Sequence, residues 1–298
     1  MGAPFGWLMR SLDVGRRNPG ALFLGILILL VIGLVPSGIQ LAGSTLYAPD
    51  SIAFKTVYVA AMLVSLVIMP PLMGSAFRLI DACERGAPAR ATGILDGYRD
   101  GAFWLRTVLL SLSFVAVYVL VGGALYLLLP GGAATVEYFA QLAATPPGGQ
   151  PDLSGLTAPP GGLFLWLLGA MFLLLVLGNA YMLAFAQAAL AGRGVLEALG
   201  DGFAGAFRNL LPFLGFAIAM FFVAIVGLLI AGILIVLIVA VIAMISKTLA
   251  LVVAIPLYIA LMLAMYVVMF GFYYHAWREI HAPPGTLPVG DDGSTLAA

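Results

Sequence analysis

Two histidines, one cysteine and a short run of charges are the obvious chemical groups of this 298-residue chain, and their spacing argues against most chemistries. His275 and His281 are six apart, so on a helix they point in different directions. HExxH-type spacing is absent, and neither histidine has a Cys or carboxylate cluster resembling a zinc site. Interfacial anchoring beside Tyr273, Tyr274 and Trp277 accounts better for His275. Asp81, Glu84 and Arg85 suggest an acid–base pair, but charges at a helix end are far more commonly solvated or paired with each other. Cys83, the lone cysteine, can form neither an intramolecular disulfide nor a cysteine metal site and reads as an inert reduced thiol. No phosphate-binding glycine loop or nucleophile elbow occurs. The expectation is a non-enzyme with no catalytic residue, metal or cofactor.

The elements that would position any site are hydrophobic tracts. Hydrophobic residues make up 63% of the chain and charged residues 9%. A soluble domain carries about a quarter charged residues, so a soluble fold is excluded. A ~30 Å hydrocarbon core needs about 20 helical residues, which gives six candidate spans. They lie at roughly 19–36, 53–77, 104–129, 161–189, 210–243 and 248–276. The apolar core that begins at Ala21 lacks a signal-cleavage site, so the first span is read as uncleaved. The tract from Leu210 to Ile245 would be about 54 Å long as a straight helix. Tilt, a bend near Gly227 and Gly232, or a split into two short spans would each absorb the excess. A split would give seven spans.

Charge placement orients the spans. With both termini inside, the cytoplasmic segments hold Arg10, Arg16, Arg17, Arg78, Arg85, Arg90, Arg99, Arg106, Arg193, Arg208 and Arg278. Only Lys55 and Lys247 fall on the other side, a strong positive-inside bias. Lys+Arg and Asp+Glu balance at 13 each, so net charge gives no hint of a nucleic-acid partner.

Coupled transport or catalysis in a membrane usually leaves an ionisable residue at depth, and none lies well inside a span. Lys55 and Arg106 lie near span ends, where they can snorkel. The deeper polar groups are Ser65, Ser111, Ser113, Asn179 and Gln187. Serine bonds back to its own helix, whereas the Asn179 amide needs a partner and is the candidate intramembrane polar contact, as interhelical glue. Pro70-Pro71 is expected to bend or end part of the second span, and Pro256 to do the same in the last.

Each cytoplasmic segment ends in an amphipathic stretch. In 195–210, Val195, Leu199, Phe203 and Phe207 oppose Glu197, Asp201 and Arg208. Around 94–105, Ile94, Tyr98 and Leu105 oppose Asp96, Arg99 and Asp100, and near the start Phe5, Leu8 and Leu12 oppose Arg10 and Asp13. Junctions recur as Arg17-Asn18-Pro19 and Arg208-Asn209-Leu210, and as Asp96-Gly97-Tyr98 and Asp201-Gly202-Phe203. The candidate lipid-headgroup contacts are therefore Arg16, Arg17, Asn18, Arg99, Arg208 and Asn209, with Asn also capping the entering helix.

The predicted fold is all-α: a polytopic transmembrane helical bundle of about six spans with three interfacial amphipathic helices. A threefold internal repeat of elbow helix, span, loop and span would divide it. One integral-membrane domain covers 1–282, in units of about 5–90, 91–192 and 193–282, and a disordered cytoplasmic tail follows at 283–298. The outer loop 130–162 is a Pro/Gly-rich connector with a short helix at Thr135–Ala144.

Arg17-Asn18-Pro19, Cys83-Glu84-Arg85-Gly86-Ala87-Pro88, Leu95-Asp96-Gly97-Tyr98-Arg99 and Arg208-Asn209-Leu210-Leu211-Pro212 carry a resemblance across 5–282. The arrangement resembles uncharacterised proteobacterial multi-pass inner-membrane proteins with elbow-helix repeats. It is more loosely similar to the membrane domain preceding some bacterial glycerophosphodiester phosphodiesterases, whose activity does not carry over because no such domain follows. The resemblance implies a bacterial inner-membrane location. The expected partners are membrane lipids, with other membrane proteins as further candidates and no nucleic acid. A permease for an apolar or lipidic solute is the alternative.

Overall fold

A computed structural model describes residues 2–48, 51–129, 131–143 and 159–281. The predicted tail at 283–298 and most of the outer connector lie outside them. The helices are α1 (Gly2–Leu12), α2 (Pro19–Leu46), α3 (Ile52–Glu84), α4 (Gly101–Leu128), α5 (Gly132–Ala143), α6 (Leu163–Leu190), α7 (Val195–Arg208), α8 (Leu210–Ile245) and α9 (Lys247–His281). A 3-10 segment, Ala91–Tyr98, precedes α4, and no strand occurs among the described residues.

The bundle is all-α and polytopic. Helices α2, α3, α4, α6 and α9 are each long and apolar enough to cross a membrane, and the α7–α8 pair, bent by 67°, makes a sixth when it is counted as one span. Large apolar side chains cover the outside, with Leu120, Leu127 and Leu196 all at least 72% exposed. A water-soluble monomer rarely exposes contiguous apolar surface on that scale, whereas hydrocarbon accepts it without penalty.

Where lipid surrounds the helices, apolar burial between them gains little, and close packing and hydrogen bonds must hold the bundle together. Those contacts gather at the arginine-rich end. Fully buried Trp7, Leu22, Phe77, Ile80, Phe185, Phe270 and Tyr274 form its core. Helices α1 and α9 meet there as well. The Arg17 guanidinium donates to the Glu84 carbonyl at 2.7 Å, and the Asn18 amide donates to the Ala89 carbonyl. The Arg106 and Arg78 side chains donate to the Ala188 and Ala189 carbonyls that end α6. Arg106 thus caps a neighbouring helix, where the sequence suggests snorkelling. Arg78 also lies 3.6 Å over the Phe103 ring and 3.7 Å from Asp100. Glycines with φ of +68° and +67°, Gly86 and Gly192, turn the chain away just after α3 and α6, a backbone region open to few other residues.

The amphipathic segments follow one rule of placement. Each packs on the second long helix of the preceding predicted unit, taken cyclically: α1 on α9, the 3-10 segment on α3 (and equally on α2), and α7 on α6. Glycine permits the approach each time. A Cβ on Gly202 would strike the Ala180 carbonyl oxygen, one on Gly97 would come within 2.9 Å of the Pro71 carbonyl oxygen, and one on Gly271 would crowd Ser11.

Several local expectations are corrected. The second amphipathic stretch is not an α-helix over 94–105. The Gly97 N–H donates to Ser75 Oγ, holding a 3-10 segment against α3, and the Asp100 carboxylate caps a fresh helix by accepting from the Phe103 N–H. Helix α3 does not end at Pro70-Pro71 but runs through both to Glu84, and α9 runs through Pro256. Of the alternatives left open for the 210–245 tract, the split into two short spans is not taken: α8 is one element from Leu210 to Ile245. The short outer helix is α5, starting at Gly132.

Candidate functional site

Of the predicted headgroup residues, the structure ties some into the protein and leaves others outside it. Asn18 Oδ1 accepts from the Ala21 N–H and caps α2. Asn209 does not cap α8 in the same way. Its amide donates back to the Gly205 carbonyl at 2.9 Å, because α7 and α8 meet with a single residue between them and the preceding helix claims it. Arg16 pairs with Asp13 at 3.2 Å and Arg99 with Asp96 at 3.1 Å, with both arginine side chains at least 80% exposed. Such pairs are worth about 0–1 kcal/mol and leave the guanidinium able to exchange partners. Arg208 is exposed and meets no carboxylate within ion-pair distance among the described residues. These six residues therefore surround the arginine-rich end and do not converge on one point.

Asn179 sits inside the bundle, 6% exposed. Its amide donates to the Leu175 carbonyl of its own helix at 2.6 Å, and its side-chain oxygen accepts from the Tyr273 hydroxyl at 3.1 Å. That bond joins α6 to α9 and satisfies two polar groups that hydrocarbon would penalise. Both residues line a crevice of about 560 Å³ between α6, α8 and α9, with Leu8 of α1 at its edge. Leu175, Phe216, Ala217 and Met269 supply apolar walls, and Met265 and Met269 show their outer faces to the surroundings of the bundle. A volume of roughly 300–1,000 Å³ is typical of small-ligand sites. The crevice exists because α8 starts at a steep angle to α7 and presents the small Ala217 where it passes α6. At the rim, Phe216 stacks on Phe272 at 4.1 Å between centroids, so the beginning of α8 lies beside the end of α9 and the two run antiparallel.

A second crevice, of about 420 Å³, opens between α2, α3, α4 and α6. Its lining is more polar: Ser37, Gln40, Ser65, Ser111, Tyr118 and Tyr181 face it, with Pro36 and Pro70 in the walls. Ser111 and Tyr181 are within hydrogen-bond distance of each other at 3.3 Å.

The aromatic residues near the end of α9 are not interface anchors. Tyr274 is fully buried, His275 and Trp277 are 7% and 8% exposed, and each aromatic hydroxyl or indole N–H reaches into a neighbouring helix. The Tyr274 hydroxyl donates to Asp81, and the Trp277 indole donates to Gln187, which in turn donates to Asp201 of α7. Asp81 also pairs with Arg85 at 2.7 Å, and Glu84 accepts from the Gly15 N–H, so these charges act as a structural network. Cys83 is buried against the Asn18 carbonyl. Sequence reasoning missed the Trp7 indole, which donates to Glu279 at 2.8 Å alongside Arg10 at 2.7 Å and fastens α1 to α9. Trp7 falls outside the Phe5, Leu8 and Leu12 face, on the buried side of α1 with Ser11, so the apolar periodicity did not point to it.

No protein-family model matches the chain, and no curated protein or solved structure matches it either.

Proposed function

We propose that this chain is a non-catalytic, multi-pass protein of the bacterial inner membrane, with both termini cytoplasmic, that binds membrane lipid in a lateral crevice. The observation carrying this reading is the 560 Å³ cavity, lined by apolar side chains apart from Asn179 and Tyr273, which satisfy each other, and Tyr266. A polar solute would find few partners there, while an acyl chain needs only apolar contact. The arginine bias supports the orientation, since the cytoplasmic leaflet is the one that attracts basic groups. The arginine-rich rim is also the surface on which a partner membrane protein would dock.

Reconstitution in lipid nanodiscs followed by native mass spectrometry tests the reading. The wild type should retain lipid through mild activation, and Ala217→Phe, which fills the crevice, should retain less while staying folded. Equal retention by the two proteins, or none by the wild type, would remove the support.

A second reading, a permease for an apolar or lipidic solute, draws on the other crevice. There, hydroxyls and an amide line a passage beside Pro36 and Pro70. Proline within a helix frees a backbone carbonyl that can line such a route. Lipid flipping in proteoliposomes that depends on Pro70 would favour it, and inert proteoliposomes would count against it.

A further inference from the structure

We infer that the arginine-rich rim above the apolar crevice holds the headgroup of the same lipid, and that this headgroup is a phosphodiester bearing a primary amine. The inference rests on the lipid-binding reading and specifies its ligand. A separate cavity of about 380 Å³ lies between α1, α7, α9 and the start of α8, lined by Trp7, Asp201, Arg208, Asn209, Glu279 and His281. The crevice begins next to it. Trp7 lines the rim cavity and its neighbour Leu8 lines the crevice, so α1 forms a shared wall. The Trp7 ring packs on Phe213 and Phe272 of the crevice at 5.6 and 5.7 Å between centroids. Along α8 the lining passes from Asn209 at the rim to Phe213, Phe216 and Met220, a drop of about 16 Å over eleven residues. The order is that of a lipid: charge above, apolar channel below.

The rim also has a defined charge arrangement. Arg208 is its exposed cation, without a carboxylate partner among the described residues, and a phosphodiester accepts from a guanidinium in the paired geometry that arginine favours. Asp201 of α7 and Glu279 of α9 bring two carboxylates to the same cavity. Each already engages an arginine, Asp201 with Arg193 at 3.8 Å and Glu279 with Arg10 at 2.7 Å, and each keeps further lone-pair sites. A headgroup amine, being a cation, would be drawn to them more strongly than the neutral hydroxyl donors of a glycerol headgroup.

The test uses the full chain in vesicles of equal phosphatidylethanolamine and phosphatidylglycerol, with retained lipid counted by native mass spectrometry after gentle extraction. The wild type should retain the ethanolamine lipid over the glycerol lipid by up to about fivefold, the upper end of what one exposed charge pair contributes. Arg208→Gln, a change on an exposed side chain, should lower retention of both headgroups. Glu279→Gln, which can still accept from Trp7, should keep lipid bound but reduce the preference, with size exclusion confirming that each variant is folded. Equal retention of the two headgroups by the wild type would overturn the inference and leave the crevice reading standing, as would an Arg208→Gln protein indistinguishable from wild type. A wild type that retains no lipid would overturn both.

Discussion

Gly202→Ala and Gly200→Ala place one methyl group at two positions of the same helix, and the structure assigns them opposite outcomes. Both gain the helical preference of alanine over glycine, about 0.8–1.0 kcal/mol. At Gly200, which is exposed, a Cβ meets nothing within 4 Å, so that gain stands alone. At Gly202, which is buried, the new Cβ would run into the Ala180 carbonyl oxygen and lie 2.8 Å from Ala184 Cβ. The carbonyl belongs to the backbone of α6 and cannot swing aside, so α7 must lift away. Overpacking of this kind costs about 1–3 kcal/mol, and because the propensity gain cancels between the variants, their difference isolates the clash. Unfolding by sodium dodecyl sulfate titration in a mild detergent, followed by far-ultraviolet circular dichroism, measures both. Gly200→Ala should unfold later than wild type, and Gly202→Ala earlier than Gly200→Ala by about 1–3 kcal/mol. If the two variants move together, α7 does not dock on α6 through this glycine, and the placement of the amphipathic segments fails with it.

Two further outcomes follow from the hydrogen-bond network. Tyr273→Phe removes the hydroxyl that Asn179 accepts, and the same unfolding titration should register a loss of about 0.6 kcal/mol, at most about 1.7, the range of interhelical bonds in membranes. Arg78→Lys keeps the charge but loses the planar group stacked on Phe103 and its bond to the Ala189 carbonyl, so a lysine should fail to restore wild-type stability and leave a deficit of about 1 kcal/mol.

The long apolar tracts were readable because a membrane demands some twenty uncharged residues in a row, a signal that survives without any neighbour. Helices α1 and α7 were readable for a related reason, since their apolar residues recur at helical spacing, and Asn18 carries a side chain that caps the entering helix α2. What stayed hidden depends on partners distant in the chain. The 3-10 segment forms because Gly97 meets Ser75 and the Pro71 carbonyl, a contact that periodicity cannot express. Tyr274 and Trp277 look identical in sequence whether they sit at headgroup level or reach Asp81 and Gln187 inside the bundle. Proline lowers the expectation of a helix at Pro70-Pro71, yet α3 continues, since helices in a bilayer have neighbours to satisfy the freed carbonyls. The crevice beside Asn179 was beyond sequence altogether. It is a gap left by the meeting of three helices, and only the amide on its wall gave any hint of it.

The central claim is that the arginine-rich ends of the helices lie together on one side of a bilayer and the opposite ends on the other. Single-cysteine labelling in a Cys83→Ala background tests it directly, with Arg90→Cys, Gly194→Cys, Gly131→Cys and Ser246→Cys exposed in turn to a membrane-impermeant maleimide in intact cells. Gly131→Cys and Ser246→Cys should label from outside, while Arg90→Cys and Gly194→Cys should label only after the membrane is opened. Labelling of Arg90→Cys and Gly131→Cys from the same side would contradict the account.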